Sequence, residues 1–256
     1  MKITALVENT STTPDIGAEH GLSLYIETKD HRILFDTGQS NLFEENAKRL
    51  SIDLSSVDFV VLSHGHYDHC GGLKRFLEIN DHAPVYLSKY AFEPHYNGTE
   101  KYIGIDAELK NSDRLIFTDG NYDICEGISL KNYEDESSGA ITSNLNTLVN
   151  GVFVPDDFRH EHYLMIEENG KKILLSGCSH KGIMNIVNKI KADVIIGGFH
   201  FSTLPTDGTL ENYAKYLALF DIEYHTCHCT GVEQYKFMKQ FIKRLHYLSA
   251  GKTIEI

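Results

Sequence analysis

Val57-Asp58-Phe59-Val60-Val61-Leu62-Ser63-His64-Gly65-His66-Tyr67-Asp68-His69-Cys70-Gly71-Gly72 is the stretch around which the rest of the chain can be read. Residues 57–62 form a short, β-branched apolar run, the pattern of a buried strand. Directly after it, four potential metal ligands (His64, His66, Asp68 and His69) fall within six residues. His64 and His66 are two apart, so an extended backbone sends both side chains the same way. Gly71-Gly72 permits a tight turn into a helix predicted from about Leu73. Imidazole and carboxylate together suit zinc, iron or manganese, whereas an all-oxygen set would suit magnesium or calcium.

Working outward, residues 22–27 and 32–35 read as paired strands with Lys29-Asp30 at the turn. Asn41 and Glu44 have capping-box spacing, and Leu42, Phe43, Ala47 and Leu50 recur on one helical face. Residues 85–87 form the next strand. The stretch 90–111, with Pro94, Gly98, Gly104 and several tyrosines, reads as a loop or lid, or equally as a packed surface excursion. Residues 114–149 are strand-rich. Asn169-Gly170 between two apolar runs predicts a hairpin of 163–167 with 172–175, because Asn-Gly supplies the positive φ of a type I′ turn. Helices are expected over 182–190, 210–220 and 232–248, strands over 194–196 and 222–225, and 253–256 returns to a sheet. Strand hairpins followed by strand–helix alternation predict an α/β protein of two mixed sheets with helices outside.

Composition sets the outer bounds. The 256 residues are 41% hydrophobic and 23% charged, ample for a buried core. No linker-like segment divides them, so a single domain over 1–256 is expected. A formal charge of −12 argues against general nucleic-acid binding, which needs clustered cations. No apolar run approaches a membrane span. The N-terminal apolar segment reads as a first strand and is too short for a signal peptide. Five irregularly placed cysteines fit a reducing compartment, with the cytoplasm as default. Fourteen histidines are the unusual count, and several close apolar runs: His180 in Gly-Cys-Ser-His, His200 in Gly-Gly-Phe-His, and His225 and His228 in His-Thr-Cys-His-Cys-Thr-Gly.

The H-x-H-x-D-H element, preceded by Phe35-Asp36-Thr37-Gly38, resembles the signature of the metallo-β-lactamase superfamily. The full set of motifs looks like its branch of metal-dependent hydrolases (β-lactamase superfamily II), which includes dihydropterin ribofuranosylaminobenzene 5′-phosphate synthase-like proteins. The resemblance implies a four-layer αβ/βα sandwich of two mixed sheets carrying two divalent ions, zinc ahead of iron or manganese. It places His64 and His66 on one ion and Asp68 and His69 on the other. Asp36 is implied as the hydrogen-bond acceptor behind the metal loop. Cys178 stands where most members have a bridging aspartate, so either its thiolate or His180 is the ligand. His180 is favoured, because a cysteine at a strand end is usually an inert small hydrophobe. His228 matches the family's final histidine, and His225 reads as a core residue. The usual third-histidine turn is missing, and His160 and His162 match it poorly, with a surface position equally open. The resemblance also places Glu19 or His20 near the cleft.

Together these imply metal-assisted hydrolysis of an ester, lactone, thioester or phosphoester. Asp68 would orient the nucleophile. His200 is open to contacting substrate, donating a proton or binding metal; ranked as substrate-facing, it would stabilise developing charge or protonate the leaving group. The competing readings are a non-hydrolytic pterin or phosphoribosyl-type synthase and a metal-containing sensor without turnover. The expected partner is a small-molecule substrate, without nucleic acid or membrane, and homo-oligomerisation is left open.

Overall fold

The computed structural model describes residues 1–133 and 144–256, and the part of the strand-rich stretch between 134 and 143 lies outside them. Two compact units emerge: the described residues of 1–119, 143–161 and 249–256, and those of 120–142 and 162–248.

The first unit is built on a seven-stranded sheet in the order Thr253–Glu255, Lys2–Val7, Ser23–Glu27, Arg32–Phe35, Phe59–Val61, Val85–Ser88, Leu115–Thr118. Pairing is antiparallel as far as Arg32–Phe35 and parallel beyond it. Leu34 pairs with Val60, which pairs with Val85, so the strand Phe59–Val61 at the centre of the expected run lies mid-sheet and buried, while Asp58 before it is exposed. Helix Leu42–Arg49 buries Phe43 and Ala47, and helix Leu73–Ile79 buries Leu73 and Phe76, into the same apolar cluster as Leu34, Val60 and Val85. The expected capping box at Asn41 does not form. Its side chain makes no cap, and the Glu44 carboxylate instead accepts from Arg75 Nε at 2.7 Å and Lys48 Nζ at 2.6 Å. That pairing, Arg75 foremost, holds Glu44 down at about pKa 2.

The stretch 90–111 is not simply a loop. His95–Asn97 and Lys101–Tyr102 join Leu145–Val149 and Val152–Pro155 in a four-stranded antiparallel sheet, a third sheet beyond the two expected. Its partner strand lies some fifty residues away, so no local pattern announces the pairing.

The second unit carries another seven-stranded sheet, in the order Leu245–Tyr247, Glu223–Thr226, Val194–Gly197, Lys171–Ser176, Tyr163–Glu168, Ile128–Lys131, Tyr122–Cys125. The first four strands are parallel and the remainder antiparallel. The hairpin turns at Asn169 (φ 53°) and Gly170 (φ 75°), as the Asn-Gly pair predicts. Helices Ile183–Lys189, Gly208–Leu217 and Val232–Met238 bury Ile186, Leu210, Ala214 and Met238 against Ile195 and Tyr224. The last helix expected from sequence ends ten residues early, and Leu245–Tyr247 is a strand. There Leu245 is fully buried and His246 pairs with His225, so sheet pairing and burial override a local pattern with no breaker in it. No helix among the described residues is long and apolar enough to cross a membrane.

Candidate metal centre

In the first unit, the motif leaves the sheet edge after Phe59–Val61. His66 remains extended (φ −96°, ψ 145°), and the short helix Tyr67–Cys70 follows. This backbone gathers three imidazoles: the His64 ring centroid lies 4.6 Å from His66 and 4.2 Å from His69. All three rings and Asp68 are buried. Asp68 Oδ2 is 3.1 Å from His20 Nε2 and 3.8 Å from His69 Nε2. Glu19 turns away, its carboxylate accepting from the backbone and hydroxyl of Ser40.

Asp36 governs the proton positions. It follows strand Arg32–Phe35 in a left-handed conformation (φ 59°) and is completely buried. Its Oδ1 accepts from Ser63 N at 2.7 Å; its Oδ2 accepts from Ser63 Oγ at 2.7 Å and from His69 Nδ1 at 2.6 Å. The Ser63 hydroxyl has one proton and gives it to Asp36, so at 2.8 Å it must accept from His64 Nδ1. Both His64 and His69 therefore carry their proton on Nδ1 and a lone pair on Nε2, the form that ligates a metal. Cys70 takes no such role. Burial pushes its thiol up, and Sγ donates to the His64 carbonyl at 3.0 Å.

Sequence reasoning missed a second group around His66. Donor atoms of His66, His95, Asp156 and His160 lie within 4.8 Å of one another, all buried. Asp156 Oδ1 accepts from Phe158 N at 2.8 Å, and its Oδ2 accepts from His95 Nδ1 at 2.8 Å and lies 3.4 Å from His160 Nε2. His160 Nδ1 accepts from Gly65 N at 2.9 Å, which ties this group to the metal loop and puts the His160 proton on Nε2. Burial, then the neighbouring His160 imidazole, push both His66 and His95 below the usual histidine value. A surface position for His160 and His162 is thus excluded: both are buried. The four-residue step from Asp156 to His160 was the one local signal. His95 sits on the stretch read as a loop, where nothing marked it.

Gly65 is required where it stands, since a Cβ there would meet the Ala91 carbonyl oxygen at 2.2 Å. Gly65→Ala is expected to cost about 1–3 kcal/mol through this backbone clash. It should also displace His64 and His66, so urea denaturation and metal content should fall together.

In the second unit, three adjacent parallel strands end in candidate ligands. Cys178 and His180 follow Lys171–Ser176, His200 follows Val194–Gly197, and His228 and Cys229 follow Glu223–Thr226. Ser179 (φ 59°), His200 (φ 57°) and His228 (φ 48°) all adopt left-handed backbone, a strain that clusters at functional sites. The His180 and His200 rings are 4.5 Å apart. They share a small pocket with Met184, Phe199 and Phe201. Cys178 Sγ lies within 4.8 Å of a donor atom on each of His180, His200, His228 and Cys229. His225 stays within its strand, 3.0 Å from Glu223 Oε1 and stacked on His246.

These sheets, with candidate metal ligands at the strand ends, define an α/β class of two mixed sheets flanked by helices. The sequence profile of the Metallo-beta-lactamase superfamily matches residues 16–216, and the chain belongs to that superfamily and has its fold. It is 34% identical to an uncharacterized protein of Methanocaldococcus jannaschii, MJ0448, over 99% of this chain and 100% of the relative. It is 33% identical to that organism's 7,8-dihydropterin-6-methyl-4-(beta-D-ribofuranosyl)-aminobenzene-5′-phosphate synthase, over 93% of this chain and 90% of the relative. A crystal structure described as a metal-dependent hydrolase of the β-lactamase superfamily superposes with a TM-score of 0.86 at 29% identity, covering 100% and 99% of the two chains.

Proposed function

We propose that the chain is a metal-dependent hydrolase acting on an ester, lactone, thioester or phosphoester. The observation that carries this reading is the Asp36–Ser63 relay, which leaves lone pairs on Nε2 of His64 and His69 beside His66 and Asp68. A set of buried neutral imidazoles with a carboxylate fits a divalent transition metal. His64, His66, Asp68 and His69 are the candidate ligands of the first unit, and His180 and His228 those of the second, for two ions with zinc ahead of iron or manganese. When bound, such ions polarise a substrate oxygen and lower the pKa of water toward neutrality. Asp68, whose Oδ2 lies 3.1 Å from His20 Nε2, is the candidate to orient the attacking water through its carboxylate. His200, in the pocket with Phe199 and Phe201, is the candidate to stabilise charge developing on a substrate.

Hydrolysis of a panel of activated esters, lactones, thioesters and phosphodiesters, with and without chelator, tests the reading. Saturable, chelator-sensitive turnover is expected, and its absence across the panel sinks it. By elemental analysis, His66→Ala should lose most of the about two metal equivalents expected from the histidine set in the parent. Unchanged metal content in that variant would count against the ligand set.

A synthase is the second reading, favoured by the 33% identity to the methanogen synthase over most of both chains. Product formation from a pterin and a ribofuranosylaminobenzene 5′-phosphate, with no turnover of the generic panel, would select it.

A further inference from the structure

Cys229 has no part in the histidine set, yet its surroundings are those of a ligand. It lies in the turn His228–Thr230, after the strand next but one to that preceding Cys178, and the strand between them leads to His200. The sulfurs of Cys178 and Cys229 and a ring nitrogen of His200 lie within 4.8 Å of one another. Both cysteines are buried, and no described cysteine is in a disulfide. Room for the Cys229 sulfur exists because residue 198 is glycine: a Cβ there would stand 2.3 Å from Sγ.

We propose that Cys178, Cys229 and His200 form a thiophilic metal site within the second unit, taking Zn²⁺, Fe²⁺ or Cu⁺ through two thiolates and one imidazole. Two sulfurs and a nitrogen match the preference of these ions over magnesium or calcium. Zinc–ligand bonds of about 2.3 Å to sulfur and 2.0 Å to nitrogen place such donors about 3.5–3.8 Å apart, a contraction of roughly 1 Å from the outer separation here. Binding releases the thiol protons to solvent. Ligation through one nitrogen fixes the His200 proton on the other, making it a hydrogen-bond donor in the pocket it shares with His180. The site goes beyond the hydrolase reading and does not depend on it.

The apo protein, prepared with chelator under reductant, is loaded with Co²⁺ without oxygen. A near-ultraviolet thiolate-to-cobalt charge-transfer band is expected. It should fall by about half in Cys229→Ser and in Cys178→Ser, since each removes one of two sulfurs. His66→Ala should keep the band, and its metal content separately tests the dinuclear histidine set. Absence of the band in the parent, parental intensity in Cys229→Ser, or loss of the band in His66→Ala would each overturn the assignment. Zinc-edge X-ray absorption on the unaltered, zinc-loaded protein guards against misfolded variants. A sulfur shell near about 2.3 Å is expected, and a shell of nitrogen and oxygen alone defeats the proposal.

Discussion

Asp36→Asn is expected to lower metal affinity by about 10–100-fold while leaving the chain folded. The substitution changes hardly any volume, but it turns one acceptor into a donor. With the asparagine oxygen kept on Ser63 N, its NH₂ faces the His69 Nδ1 proton and the Ser63 hydroxyl proton, both now without an acceptor. His69 must then move its proton to Nε2, which abolishes the lone pair there. Ser63 must turn its hydroxyl toward His64 Nδ1, which drives the His64 proton to Nε2 as well. One isosteric change thus disarms two imidazoles that it does not replace. Competition with a chromogenic chelator measures the affinity, and ¹⁵N shifts of the imidazoles report the tautomers. Parental affinity, or unaltered tautomers, in a variant with native circular dichroism would refute the relay.

Asp156→Ala should be the most destabilising single change outside the apolar core, by about 3–5 kcal/mol, because it strands buried polar partners. His95 Nδ1–H and Phe158 N–H lose their acceptor, and His160 loses the carboxylate beside Nε2. Burial pushes the Asp156 carboxyl up, but His160 and then His95 pull it down further, and the net shift is well below the usual carboxylate range. A depressed acid stabilises the fold above its unfolded pKa and loses that contribution as pH falls through and below about 4. Urea denaturation should therefore show the gap between parent and variant shrinking below pH 4 and constant from 5 to 7. A gap that widens on acidification would show that Asp156 is not the ionised partner.

The legible parts of this fold share one property: their signal is local. Val60 and its neighbours, the Asn169-Gly170 turn, and the amphipathic spacing of Phe43 with Ala47 need no knowledge of distant chain. The failures share the opposite property. Asn41 and Glu44 have capping spacing, but Arg75, some thirty residues away, takes the carboxylate. The helical pattern after Val232 runs on in sequence, but the neighbouring strand Glu223–Thr226 captures Leu245–Tyr247. His95 lies in a stretch rich in turn residues and becomes buried because Leu145–Val149 pairs with its strand.

Sequence by itself determined the donor chemistry and the strand-to-turn context of His64, His66, Asp68 and His69, since ligand type and two-residue spacing are properties of contiguous chain. Only the tertiary structure decided which nitrogen of His64, His69, His95 and His160 carries the proton, that His95, Asp156 and His160 gather around His66, and that Cys229 meets Cys178 and His200. A hydrogen bond is settled by atoms brought within about 3 Å, and here those atoms come from elements far apart in the sequence, as where Asp36 meets Ser63 and Gly65 meets His160.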